Sequence, residues 1–339
     1  MDALSKKWHL LRVVALWLCG IATVSLSACD DDDDTLPDNS SQNIVQVAQG
    51  NASFSTLVAA VTKANLATTL SGTGPFTVFA PTNDAFAKLA PPFNNATNIT
   101  AITSQAQIDQ LRGILLYHVV GANLKAADIA TGASTRTTAR PASTVGGTAT
   151  NDNTLYLTKN STGVFLNGST RVVTADVSAS NGVIHAIDNV LMPPSQTIAG
   201  LVTSSASSTT APEFTLLLEA LQRPAASAIL AAAGSASSNV TVFAPTDAAF
   251  RALLGTAPLS SVSDADLTAI LSRHVISGRV FSSDLTPGTV ATLGGNVTVA
   301  AAGTGFTVRG GNGTAATITA ANLLATNGVV HVINQVIQP

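Results

Sequence analysis

Four histidines are the residues best suited to acid–base or metal chemistry, and they fall into two matched pairs. His118 goes with His185, and His274 goes with His331. An imidazole can move a proton or hold a metal near neutral pH. The spacings within the pairs, 67 and 57 residues, are not those of short ligand motifs, and no carboxylate or thiol falls at ligand distance beside them. His118 ends a helical apolar stripe of Leu111, Ile114 and Leu115, and His274 ends one of Leu267, Ile270 and Leu271. His185 and His331 sit in apolar strand patterns. The pattern predicts architectural rings, with no metal and no cofactor. His185 and Asp188 could suggest a dyad, but residues three apart on a strand face opposite sides. The equivalent of Asp188 is Asn334, and no G-x-S-x-G elbow accompanies them. The pairs Gly146-Gly147 and Gly294-Gly295 lack a following Lys-Ser/Thr or helix, so they read as turns. The expectation is a protein that is not an enzyme.

Those rings need a scaffold, and composition limits what it can be. The chain has 339 residues, 46% of them apolar and only 10% charged, with a net charge of −3. That balance excludes a nucleic-acid binder held by a basic field. Two cysteines exclude a disulfide framework or a thiolate zinc site. Residues 1–28 read as an export signal. Lys6, Lys7 and Arg12 precede an apolar run from Val13 to Val24, too short to span a bilayer comfortably. The run ends in Leu26-Ser27-Ala28-Cys29, which resembles the lipobox of bacterial lipoproteins. That resemblance implies cleavage before Cys29 and lipidation of its thiol, anchoring the chain to a membrane. Asp30 to Asp34 and the polar residues up to 42 make a self-repelling, solvated tether. Beyond that Asp run, basic and acidic residues balance at 13 each.

The remainder is one pattern written twice. TVFAPTNDAF at Thr77–Phe86 recurs as TVFAPTDAAF at Thr241–Phe250. YHVVGANL at Tyr117–Leu124 is answered by RHVISGRV at Arg273–Val280, and NGVIHAIDNV at Asn181–Val190 by NGVVHVINQV at Asn327–Val336. A unit near 145 residues is large enough to be a domain. The domains are placed at 43–194 and 195–339, joined at Met192-Pro193-Pro194-Ser195, and a junction this short predicts a preferred mutual orientation. Ser204–Thr210 is then an insertion within the second copy.

Periodicity supplies the elements. Phe54, Leu57, Val58 and Val61 keep helical spacing, as do Phe214, Leu217, Leu218 and Leu221. Thr82 and Thr246 are placed to cap short helices, and Ser104 with Gln107 forms a capping-box pattern. Short β-branched segments follow: Thr144–Thr150, Leu155–Thr158, Val164–Asn167 and Val172–Val173, then a closing strand from Val183. The second copy gives Val290–Leu293, Val297–Ala300, Phe306–Arg309, Thr317–Thr319 and Val329–Ile337. Helices followed by antiparallel strands define an α+β class.

The three motifs, in order and twice, resemble the fasciclin domain. The resemblance implies two tandem domains, each a twisted β-sandwich or wedge with several packed helices. It also implies an extracellular or envelope-anchored adhesion module that engages a matrix component, a polysaccharide or a cell-surface protein. Animal matrix members of that family use the tyrosine-histidine region and an acidic-aliphatic pair ahead of the NG motif to engage partners. By that resemblance Tyr117, His118, Asp176 and Val177 are the candidate partner-binding residues. In the second copy Arg273 replaces the tyrosine, and Asn322-Leu323 replace the pair. Tyr117 points roughly 100° from His118 around the helix, which predicts partial exposure. The alternative reading is a periplasmic small-ligand or lipid-binding module with a pocket between sheet and helices.

Overall fold

The computed structural model describes residues 41–145, 148–311 and 313–339. Cys29, the Asp run and Gly146-Gly147 lie outside the described residues.

Each copy begins its sheet at the TVFAPT motif. Phe76–Pro81 forms β1, and the chain leaves it at Thr82, whose hydroxyl accepts from Ala85 N–H at 3.3 Å. Thr246 caps the matching helix through Ala249 N–H at 3.1 Å. Both threonines therefore act as the sequence predicts. Ser104 also stands at a helix start, but its side chain makes no capping bond. A capping box forms instead at Asn43 and Gln46, ahead of the helix Ile44–Gln49.

The first domain continues with β2 (Val119–Val120), β3 (Gly132–Thr137), β4 (Thr144–Val145), β5 (Thr148–Ala149), β6 (Thr154–Asn160), β7 (Gly163–Leu166), β8 (Thr170–Ala179) and β9 (Gly182–Ile187). The second has β10 (Val240–Pro245), β11 (Val275–Ser277), β12 (Gly288–Thr292), β13 (Gly295–Ala302), β14 (Gly305–Gly310), β15 (Ala316–Ala325) and β16 (Gly328–Ile333). Seven strands make the main sheet of each domain, in the orders β2-β1-β9-β8-β7-β6-β3 and β11-β10-β16-β15-β14-β13-β12. β1 pairs with β9, and β10 with β16, in parallel, while the other ladders are antiparallel. The two orders superpose element by element, so both copies share one α+β architecture.

A parallel central pair is buried on both faces, so its residues read as continuous apolar runs. Val78, Ala80, Ile184 and Ala186 face the helices. On the opposite side, Phe79 and Ile187 meet Leu155, Leu157 and Leu166 from the far strands of the same sheet. A sheet whose own strands share one core must fold over on itself, and this makes the wedge. Phe243, Ile333, Val297, Val299 and Val308 repeat that arrangement in the second domain.

Three local differences separate the structure from the sequence reading. The first-domain equivalent of β12 is β3, Gly-Ala-Ser-Thr-Arg-Thr, an edge strand with no large apolar residue and hence no apolar alternation to read. The segment Thr144–Thr150, expected to be a sheet strand, instead forms a small separate hairpin in an excursion between β3 and β6. Asp152 closes that excursion by accepting from Ser143 N–H at 2.9 Å, the Ser143 hydroxyl and the Arg140 guanidinium. Burial pushes its carboxyl up, but the Ser143 and Arg140 bonds outweigh this and hold it below its ordinary range. In the second domain, part of the predicted insertion extends the first helix to Ile198–Ala206.

The domains meet along the edge where β6 and β7 of the first approach residues 279–284 of the second. Thr158 Oγ1 donates to Asp284 Oδ1 at 2.6 Å. Tyr156 packs on Phe281 with centroids 5.4 Å apart, and the Arg279 guanidinium lies 4.8 Å from the Tyr156 ring centre. Arg279 is itself fixed by donating to the carbonyls of Ala325, Thr326 and Gly328. Gly168 completes the contact. A Cβ there would stand 2.6 Å from Phe281 Cβ, and its φ of +78° suits glycine. Tyr156→Ala should remove both the tilted ring contact with Phe281 and the cation–π contact, costing about 2 kcal/mol of interdomain coupling. NMR relaxation should then show the two halves tumbling with different correlation times, and tumbling still locked as one body would contradict this assignment.

Candidate functional site

The motifs converge on the four histidines. The helix Gln105–Tyr117 ends at His118, whose Nδ1–H donates back to the Ile114 carbonyl at 2.8 Å. Its Nε2 accepts from Leu191 N–H at 2.9 Å, tying the helix end to the segment after β9. His274 does the same with Ile270 and Ile337, at 2.8 and 2.9 Å. The backbone of each takes part as well: Phe79 N–H donates to His118 O, and Phe243 N–H to His274 O.

His185 and His331 use the opposite tautomer. Nε2–H of His185 donates to Leu124 O at 2.8 Å, and its Nδ1 accepts from Asp176 N–H at 3.2 Å. His331 bonds Val280 O and Asn322 N–H at 2.9 and 3.3 Å. Their rings pack on Phe79 and Phe243, with centroids 5.4 and 5.7 Å apart. All four rings thus give one hydrogen and accept one, inside the core. His185 and Asp188 do not meet, since Asp188 Oδ1 accepts from Arg171 N–H at 2.8 Å. Among the described residues no group of three or more His, Cys, Asp or Glu is placed to hold a metal ion.

The candidate partner-binding residues have structural work of their own. Tyr117 is fully buried rather than partly exposed. Its hydroxyl donates to Thr154 O at 2.7 Å and accepts from Asn167 Nδ2 at 3.2 Å. Burial pushes that hydroxyl's pKa well up. The 100° rotation from His118 is real, but the folded-over sheet covers that side of the helix too, so Leu115 joins the helical core and Tyr117 the sheet core. Asp176 is half-buried, with φ +61° at a β-bulge, and its Oδ1 accepts from Ala126 N–H at 2.8 Å. Asn322 takes the same left-handed conformation, φ +64°, and accepts from Ser282 N–H at 2.8 Å. Asp and Asn are the side chains that tolerate this backbone and can make this bond, so the exchange that looked like a departure between copies preserves one local device. Val177 is half-buried against the helical core.

Sequence reasoning recognised the NG motif without its cause. Asn181 Oδ1 accepts from Ile44 N–H at 2.9 Å, while Nδ2 donates to Leu70 O and Gly72 O, both at 2.8 Å. One amide thereby terminates two helices. Gly182 follows because a Cβ there would lie 1.9 Å from Phe76 O. Asn327 and Gly328 repeat both roles. An Asn-Gly pair ahead of a buried strand was the available signal.

Burial pushes His118 and His274 down to about 4, and His331 also downward. These depressed values mean that the unfolded chain binds protons first, so stability is full above pH 6.5 and is lost as pH falls from there toward 4. Each of His118 and His274 should withdraw about 3 kcal/mol across that window. Denaturant unfolding at pH 7, 6, 5 and 4 measures it, and a flat profile between pH 6.5 and 5 would contradict the assignment.

The fasciclin domain pattern matches residues 52–193 and 212–339. Protein sll1483 of Synechocystis is 45% identical over 46% of this chain and 76% of its own length. Transforming growth factor-beta-induced protein ig-h3 of Sus scrofa is 31% identical over 75% of this chain, which spans only 32% of that protein. A fasciclin domain pair from the insect cell adhesion molecule fasciclin I covers 83% of this chain and 92% of its own, at 18% identity and a TM-score of 0.35. With its motifs in two matched copies and the family pattern over both, the chain belongs to the fasciclin domain family.

Proposed function

We propose that this protein is a membrane-anchored, extracytoplasmic adhesion module of the cell envelope, engaging a matrix component, polysaccharide or surface protein through weak multivalent contacts. The observation that carries the reading is the double engagement of all four imidazoles, which leaves those rings no nitrogen for proton transfer or metal ligation. What the two domains offer a partner is surface. That surface is nearly neutral and rich in hydroxyls and amides, and many anchored copies would add weak contacts by avidity. Membership of the fasciclin domain family, whose resemblance implies an adhesion module, points the same way.

The alternative, a carrier for a small or lipid ligand, would use the crevice between helices and sheet. In the first domain that crevice is lined by Ile44, Leu57, Val61 and Ile184 and holds about 30 Å³, and its counterpart in the second holds about 20 Å³. Such volumes admit about one water. A carrier function would require the helices to separate from the sheet, so adhesion is the better-supported reading.

Among the candidate residues, Asp176 and Val177 are half-buried on β8, whereas Tyr117 and His118 are buried. A partner at the surface would therefore feel Tyr117 and His118 only through the backbone they hold. Asp176→Asn should keep the left-handed turn and the bond to Ala126 while removing charge. Unfolding midpoints should stay within about 0.5 kcal/mol of wild type, and retention on a matrix-protein and glycan array should fall. Full retention by this variant would remove Asp176 from the interface. Cys29→Ala should release the protein from membranes on fractionation, and a variant that still pellets would count against the lipid anchor.

A further inference from the structure

We propose that the cleft between the two domains is a binding site for a neutral saccharide unit. This names the ligand class within the adhesion reading above and rests on it. The cleft encloses about 480 Å³. Asn160, Thr162 and Phe165 line it from the first domain, and Ser283, Thr304 and Phe306 from the second. This is the volume range of small-molecule sites, and it is far larger than the crevices beneath the helices.

The chemistry of the lining selects the ligand. No Lys, Arg, Asp or Glu lines the cleft, so it has no ion pair to offer a phosphate, a uronate or an amine. What it offers is two phenyl rings beside the aliphatic side chains of Leu285, Ile318 and Ala321, with a rim of hydroxyl and amide groups able to donate and accept. A pyranose presents the complement: a C–H face for an aromatic surface and a belt of hydroxyls around it. An acyl chain would leave that polar rim unpaired at a cost.

The placement of aromatic rings is selective. Of the phenylalanines and tyrosines in the described residues, eight are buried and five are half-exposed. Among those five, Phe76 and Phe93 pack on the helical core of the first domain, and Phe306 packs on the sheet core of the second. Phe165 and Phe306 line the cleft, and Tyr156 forms the interdomain contact beside it. In a chain that is only 4% aromatic, three of the five half-exposed rings lie where the domains meet.

The floor is already rigid. Thr158 to Asp284, Ser282 Oγ to Gly168 O, and Phe281 against Gly168 hold the two walls together. Asp284 is itself engaged by Thr158 and by Phe281 N–H at 3.1 Å. A ligand therefore meets preorganised walls, which lowers the ordering cost of binding. Neither domain alone would provide the site, which gives the tandem arrangement a function beyond avidity.

Saturation-transfer NMR on the intact chain, with cellobiose, maltose and diacetylchitobiose as probes and glucuronate as the charged control, tests the proposal. At least one neutral disaccharide should receive saturation at its ring C–H protons, and glucuronate should not. Phe165→Ala and Phe306→Ala should each weaken that binding by about fivefold. Thr304→Trp, at an exposed rim position, should block it without touching the core. Absence of transfer to all three disaccharides, or undiminished transfer in the Phe and Trp variants, would overturn the cleft. If wild type is then still retained on the matrix-protein and glycan array, adhesion stands and only the saccharide site is lost. Transfer in NMR with a silent array would keep the site and overturn adhesion.

Discussion

The fold depends on imidazoles that act as neutral, two-ended connectors inside a dry core. At the end of the helix Gln105–Tyr117, backbone direction must change while a carbonyl of the last turn and the amide of the distant segment after β9 both need partners. His118 supplies a donor to one and an acceptor to the other. A hydroxyl or amide side chain would need a different reach, and a lysine or arginine has no acceptor to give. His185, with its hydrogen on the other nitrogen, joins the turn at Asp176 to the carbonyl of Leu124. The same pair of connectors recurs in the second domain with the same partners, which argues that they are needed by the scaffold itself.

Around those connectors the motifs become intelligible as one device. The TVFAPT strand is buried on both faces because it lies beside β9 in a parallel ladder. Asn181 secures the first helix and the end of another, and Gly182 lets the two central strands approach. A bulge at Asp176 or Asn322 turns the neighbouring strand so that a side-chain oxygen can accept a backbone hydrogen. Residues that looked like candidates for recognition are thus already committed to backbone bonds. Recognition is left to exposed hydroxyls, amides and the few rings that remain at the surface.

The copies diverge at their margins. The first domain carries an excursion closed by the buried Asp152 and the half-buried Arg140, while the second replaces it with a short hairpin at Gly294. Arg273, in the position of Tyr117, sends its guanidinium to Asn296 O at 3.1 Å. Such changes leave the strand order untouched. They alter the edges and the surfaces from which one domain meets the other and from which both meet a partner.

Much of this was legible from residues alone. The duplication, the two threonine caps, the apolar helical stripes and the architectural nature of the histidines all follow from local patterns, because periodicity and capping are decided within a few residues. β3 was not legible, since a polar edge strand carries no alternation and is defined only by its pairing with β6. Tyr117 was misjudged for a related reason: helical geometry sets its direction, but only the sheet folding over that side decides that nothing there meets solvent. The interdomain contact and its cleft likewise join residues more than a hundred positions apart. Local sequence determines which elements form and which face of each is apolar. What covers the second face of a helix, and which walls two domains bring together, is a matter of long-range packing that no short-range pattern encodes.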